Sequence, residues 1–205
     1  MSKRSAQHLN HSQGAWAVEY ARRVVEDAVR EDRTPERAEA VDPVFEVNRG
    51  AFVTLEKAGD LRGCIGRPSA SQPAIEAIHA AAIGAATDDP RFPPVVESEL
   101  APLTVEVSVL TPPEPIESPD PSAIEVGQDG LIVGRNGNRG LLLPQVAVDQ
   151  GWDARTFLAQ TCRKAGLPTD CWQDTPTEVE RFSAQVFQER EPRGEIEAVG
   201  ISAGD

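Results

Sequence analysis

One stretch of the chain, Leu103-Thr104-Val105-Glu106-Val107-Ser108-Val109, alternates apolar and polar residues without a break. Successive side chains of an extended strand point to opposite faces, so this period commits the segment to a sheet with one face on a core. Leu103, Val105, Val107 and Val109 take the core side, and Thr104, Glu106 and Ser108 take the other. The remaining chain must then supply partner strands and something apolar to cover that sheet.

Ala17, Ala21, Val24 and Ala28 recur at helical spacing and predict an amphipathic helix over 13–30. Strand composition over 51–56, a turn at Lys57-Ala58-Gly59-Asp60 and a return over 61–65 predict a hairpin. Alternation along the returning strand puts Leu61, Gly63 and Ile65 on one face and Arg62, Cys64 and Gly66 on the other. A second helix is expected from about Pro73 to Asp88 on a stripe of Ile75, Ile78, Ala82 and Ala85, and Asp89-Pro90 stops it. Its alanines and Gly84 admit a close neighbour. A polyproline-like Phe92-Pro93-Pro94-Val95 follows.

The five prolines between 111 and 121 mark a stiff connector and the best candidate for an internal boundary. Beyond it, strands over 130–134 and 140–143 flank an Asn136-Gly137 turn, with Pro144 ending the second. A helix over 154–165 is capped by Asp153 and terminated by Gly166, and a final strand spans 181–187. Regular alternation of strand and helix is missing, which favours α+β over a doubly wound α/β sheet.

A net charge of -13 disfavours nonspecific nucleic-acid binding, which needs Lys and Arg against phosphates. No run approaches the length of a membrane span, and residues 1–12 are polar and resemble neither a signal peptide nor an anchor. The three cysteines are odd in number and widely spaced, an argument against a disulfide framework and for a reducing, cytoplasmic setting. No CxxC pair or suitably placed histidine makes a metal pattern.

Cys64 is the cysteine with a plausible reactive role, because Gly63 and Gly66 bracket it and Arg62 shares its expected face. The competing reading is a small buried residue in a tight hairpin. Cys162 falls on the apolar stripe of its helix, and Cys171 reads as a packing residue beside Trp172. A Cys64–His79 dyad is conceivable across a hairpin-helix contact. Asp89, Arg91 and Glu106 either serve as caps and surface groups or converge with Arg62 and Cys64 in one cleft. The glycine-rich stretch 134–140 lacks a phosphate-loop pattern and reads as a hairpin turn.

Leu61-Arg62-Gly63-Cys64-Ile65-Gly66, Asp89-Pro90-Arg91-Phe92-Pro93-Pro94-Val95, Val105 to Leu110, Gly140-Leu141-Leu142-Leu143-Pro144-Gln145-Val146-Ala147, Gly151-Trp152 and Lys164-Ala165-Gly166-Leu167 together resemble the AMMECR domain family. The resemblance spans roughly 13–189, leaving a polar tail over 1–12 and an acidic tail over 190–205. It implies an α+β fold of two unequal, closely packed subdomains with a mostly antiparallel, barrel-like sheet and flanking helices. It also implies Memo-like and radical-SAM proteins as partners, because members of the family occur beside them or fused to them. Carried over residue by residue, it makes Arg62 and Cys64 the candidate catalytic side chains and Asp89 and Arg91 their companions; Gly63, Gly66 and Glu106 complete the candidate cleft. The expected role is an accessory or binding component of a macromolecule or small-molecule modification pathway. The alternative is an enzyme using Cys64 as a nucleophile or substrate-anchoring thiol on a small anionic molecule. No cofactor is indicated.

Overall fold

The computed structural model describes residues 8–31, 35–39 and 41–199. The described residues divide into two compact units: those from 8 to 110 together with 185–199, and 111–184. The division falls at the first residue of the proline-rich connector, as the sequence suggests.

The first unit begins with helix α1 (His11–Glu31), then strands β1 (Ala51–Lys57) and β2 (Asp60–Arg67), helix α2 (Ala74–Thr87) and strand β3 (Leu103–Leu110). In the second unit come β4 (Glu114–Pro115), β5 (Gly130–Arg135), β6 (Asn138–Leu142), helices α3 (Pro144–Asp149) and α4 (Ala154–Lys164), and β7 (Glu178–Phe182). Strands β8 (Ala184–Glu189) and β9 (Ile196–Val199) return to the first sheet. The single final strand expected over 181–187 is therefore two, split between two sheets at Ser183. Regular pairing also runs past residue 189, since β9 lies antiparallel to β8. Pro144 opens α3 as well as closing β6, a first-turn use of proline that the sequence reading had assigned only to the strand end. Residues 1–7 and 200–205 of the two expected tails lie outside the described residues.

The sheets have strand orders β2-β1-β3-β8-β9 and β4-β7-β5-β6. Both are open, ending on distinct edge strands, which corrects the barrel-like sheet implied by the family resemblance. Helices pack on each sheet instead of the sheet curling on itself: α2 lies on β1 and β2, α1 on β3 and α2, and α4 on β5 and β6. Apolar burial follows the alternation. Ala51, Val53 and Leu55 of β1 and Leu103, Val105, Val107 and Val109 of β3 are buried, as are Ile75, Ile78, Ala82 and Ala85 of α2. Gly84 admits the Ile65 side chain against the helix. In the second unit Leu131, Val133, Phe157, Leu158 and Trp172 form a separate core.

Arg22 of α1 forms a two-point ion pair with Glu189 and donates to the Leu103 carbonyl at 2.6 Å. Glu189 also accepts the Val105 N–H at 3.1 Å. This buried charge is tolerable because its partners are charged or main-chain groups.

The cysteine reading needs correction. Cys162 of α4 and Cys171 are joined by a disulfide, with Cα atoms 6.1 Å apart. Gly166, at φ 73°, turns the chain back after α4 and brings the two together. The cysteine count therefore no longer argues for a reducing compartment, and Cys64 is left as the free thiol. Among the described residues no helix is long and apolar enough to cross a membrane.

Under denaturing, non-reducing conditions we expect one alkylatable thiol and one disulfide by intact mass. Cys171→Ser should lower unfolding stability by about 2–3 kcal/mol, the loop-closure value for so short a loop. Urea titration with and without reductant measures it; equal midpoints for wild type and variant under oxidising conditions would refute a stabilising cross-link.

Candidate functional site

Cys64 lies on β2, the edge strand of the first sheet, opposite Thr54 of β1. Its backbone N–H and C=O meet side chains that follow α2. Asp89 Oδ2 accepts the Cys64 N–H at 2.8 Å, and Arg91 Nη2 donates to the Cys64 carbonyl at 3.1 Å. Asp89 also accepts from Arg91 Nε at 3.0 Å, Arg91 Nη2 at 2.7 Å and the Arg91 N–H at 3.0 Å. The pair thus occupies both main-chain groups that an edge strand would leave without a neighbour. Asp89 is only 5% exposed. Its carboxyl is held well below the usual carboxylate range by the Arg91 guanidinium first, with the Cys64 N–H assisting and burial opposing.

The hairpin register shifts between Leu55 and Glu56: Leu55 pairs with Gly63, and Glu56 pairs with Leu61. Arg62 is the extra residue of a β-bulge. Leu61 consequently pairs with a residue of the outer face and is 40% exposed, contrary to the simple alternation that placed it with Gly63 and Ile65. The Arg62 guanidinium turns to Glu99, with Nε at 3.1 Å and Nη2 at 2.7 Å, and donates to the Pro93 carbonyl at 2.9 Å and the Pro94 carbonyl at 3.3 Å. Lys57 also reaches Glu99, at 3.1 Å. Arg62 foremost, then Lys57 and the Val96 N–H, bring the Glu99 carboxyl down to about 2 against burial. The arginine that reaches Cys64 is Arg91, which donates to its backbone carbonyl, and the Asp89 carboxylate foremost raises the Arg91 pKa.

Gly63 and Gly66 serve packing. A Cβ at Gly63 would collide with the Ala85 carbonyl of α2, and one at Gly66 with the Phe52 ring. Close approach, anticipated for a ligand, is taken up here by the protein itself.

The thiol is half-buried. Thr54 Oγ1 donates to Cys64 Sγ at 3.4 Å. Thr54 also pairs with Glu106 of β3, so Cys64, Thr54 and Glu106 form one row across three strands on the face away from the core. Burial raises the Glu106 pKa, the charge on Glu56 adds to that, and the Thr54 hydroxyl opposes it. Thr54 and Glu99 were missing from the sequence-based site. Alternation identifies the Thr54 face, but its partner across the hairpin depends on the bulge; Glu99 carries no sequence signal that singles it out.

His79 is engaged elsewhere. Its Nδ1 faces Tyr20 Oη at 2.8 Å and its Nε2 faces the Pro35 carbonyl at 3.1 Å. The carbonyl can only accept, so Nε2 carries the hydrogen and Nδ1 accepts from Tyr20. The Cys64–His79 dyad is therefore not formed. Burial lowers the His79 pKa, with the Pro35 carbonyl opposing and Arg37 adding to the decrease. Among the described residues no group of three His, Cys, Asp or Glu side chains is placed to hold a metal ion.

The AMMECR1 family model matches residues 18–187, a span that includes the hairpin, the Asp89–Arg91 segment and β3. The chain belongs to the AMMECR1 family. A relative from Methanothermobacter thermautotrophicus is 55% identical over 185 residues, covering 88% of this chain and 96% of that protein. Protein TK0174 from Thermococcus kodakarensis is 52% identical over 191 residues, covering 89% and 93%. The crystal structure of uncharacterized protein PH0010 from Pyrococcus horikoshii matches this AMMECR1-family chain with a TM-score of 0.79 at 47% identity, covering 94% of this chain and 98% of that one.

Removing the Asp89 carboxylate by Asp89→Ala leaves the Cys64 N–H and the Arg91 guanidinium without their anion, and should cost about 2 kcal/mol in urea unfolding at pH 7. Because its folded pKa is depressed, the Asp89 contribution is present above its unfolded value of about 4 and disappears as pH falls below it. Asp89→Asn should flatten that acid limb; an unchanged limb would remove the clamp from the stability argument. His79, whose folded pKa is also depressed, acts in the same direction at higher pH. Its stabilising contribution is full above about 6.5 and decreases as pH falls from there toward the lower folded pKa. The wild type minus His79→Gln difference in melting temperature should therefore narrow between pH 7.5 and 5, and a constant difference would contradict it.

Proposed function

We propose that this AMMECR1-family protein is a binding or accessory component of a modification pathway, and that Cys64 with Arg91 forms the site receiving a small anionic group on its substrate or macromolecular partner. The observation supporting this reading is the free, half-buried Cys64 thiol, which accepts from the Thr54 hydroxyl and sits on a backbone clamped at its N–H by Asp89 and at its carbonyl by Arg91. The Arg91 side chain is 53% exposed although its Nε and Nη2 engage Asp89, so a guanidinium already fixed in direction still meets solvent. A fixed, partly exposed guanidinium suits a phosphate or carboxylate. Arg62, bound on three nitrogens by Glu99 and two carbonyls, supports the site through the shape of β2. Memo-like and radical-SAM proteins are the expected partners, on the strength of the family resemblance, and a cytoplasmic setting belongs to the same reading.

A second reading, with Cys64 as nucleophile or substrate-anchoring thiol, is favoured by the hydrogen bond that its free thiol accepts from Thr54. Binding of a purified Memo-like protein to wild type, Arg91→Ala and Cys64→Ser separates the two. The binding role expects retention by Cys64→Ser and at least tenfold weaker binding by Arg91→Ala, the usual cost of losing one charge-assisted contact. No binding by wild type would defeat it. The nucleophile reading expects labelling of native Cys64 by maleimide at neutral pH, and full protection of the thiol would defeat that one.

A further inference from the structure

We infer that residues 35–38 form a pH-gated strap on helices α1 and α2, held while the His79 imidazole is neutral and released when it gains a second proton. The catch is a chain of three hydrogen bonds that leaves the segment at Ala38, crosses both helices and returns to it at Pro35.

The chain has a direction. The Ala38 N–H donates to Tyr20 Oη at 3.3 Å, Tyr20 Oη lies 2.8 Å from His79 Nδ1, and His79 Nε2 lies 3.1 Å from the Pro35 carbonyl. A carbonyl only accepts, so Nε2 carries a hydrogen. In the neutral ring Nδ1 then has none, and it accepts the Tyr20 hydroxyl hydrogen. Each donor along the chain thus meets an acceptor. The strap is tied by α1 at Ala38 and by α2 at Pro35. Pro35 is buried, whereas Glu36, Arg37 and Glu39 are exposed.

A second proton on the ring breaks this order. Nδ1 becomes a donor facing an oxygen that already accepts from Ala38, and the Tyr20 hydroxyl hydrogen loses its acceptor. Tyr20 is only 4% exposed, so a hydroxyl hydrogen left without a partner there is costly. The tied strap therefore selects one protonation state of His79.

The charges around the ring act in the same sense. Both ring nitrogens bind uncharged groups, so no carboxylate compensates a second proton. Arg37, on the strap itself, opposes a positive imidazole. From α1, the Arg23 guanidinium lies 6.0 Å from the centre of the Tyr20 ring. From the turn Pro43–Glu46, Glu46 is paired with Arg37 at 3.5 Å. Glu76, one turn before His79 on α2, is exposed. Because the strapped form holds the neutral ring, the strap is secure above about 6.5, the ordinary histidine value, and loosens as pH falls below it.

The test is hydrogen exchange of the Ala38 amide in the full chain, followed by NMR from pH 7.5 to 5.5 and divided by the intrinsic rate at each pH. The ¹⁵N shifts of the His79 ring are read in the same samples. Wild type should show the Nε2–H tautomer at pH 7.5, and its Ala38 protection should drop about tenfold by pH 5.5, one decade for each unit below the ordinary histidine value. The carboxamide in His79→Gln can donate and accept as the neutral ring does but does not titrate, so its protection should stay level. Tyr20→Phe removes the middle link; Ala38 protection should then be low throughout while the His79 pKa rises toward 6.5. Cooperative urea unfolding at pH 7.5 shows that each variant folds. A level wild-type profile, or an equal drop in wild type and His79→Gln, would overturn the gate, and an Nδ1–H tautomer at pH 7.5 would overturn the catch.

Discussion

The edge of β2 is completed by side chains instead of by another strand, and much of the first unit's candidate site depends on that substitution. Asp89 accepts from one main-chain group of Cys64 and Arg91 donates to the other, while the two side chains lock each other. An edge strand with its N–H and C=O unsatisfied invites pairing with another chain. Here the hydrogen-bonding groups at Cys64 are used, and the residue is fixed without being covered. That combination differs from the usual fate of a free cysteine, which is burial as a small apolar residue.

The bulge at Arg62 separates two arginine roles that proximity in sequence had merged. Inserting one residue turns Leu61 outward and gives Arg62 a position from which it binds Glu99 and the Pro93 and Pro94 carbonyls. This contact ties the strand to the segment preceding β3. Arg91 is then the cation on the Cys64 main chain, brought there across 27 residues by the length of α2 and the turn after it. Asp89 contributes twice, by accepting the Cys64 N–H and by orienting that guanidinium.

The fold was legible wherever burial alone fixes a period. The stripe on α2, the alternation along β3 and the Asn136-Gly137 turn all appear where the pattern places them. Several features were not legible because they depend on contacts distant in sequence. Nothing local in residues 61–66 reports the one-residue shift, since alternation cannot reveal which residue is extra. Cys162 and Cys171 meet only after Gly166 reverses the chain, so an odd cysteine total was a poor guide to pairing. The barrel expectation followed the family resemblance; helices on open sheets take the place of closure. Cys64, Asp89, Arg91 and Glu106 were named from sequence and do gather around β2 and β1, but Thr54, which stands between Cys64 and Glu106 in the row, emerged only from the cross-strand register.

The row across β2, β1 and β3 has an electrical direction. At its outer end stands a guanidinium that cannot lose its charge, and at its inner end a carboxyl made less acidic by burial and by Glu56. Cys64 and Thr54 lie between them. Such an arrangement favours anions at the β2 edge and neutral groups toward β3, so an incoming acidic group would meet Arg91 before the carboxyl could repel it. One neutral hydroxyl, Thr54, stands between thiol and carboxyl in the cross-strand register, so the row carries its cation and its carboxyl at opposite ends of a single face.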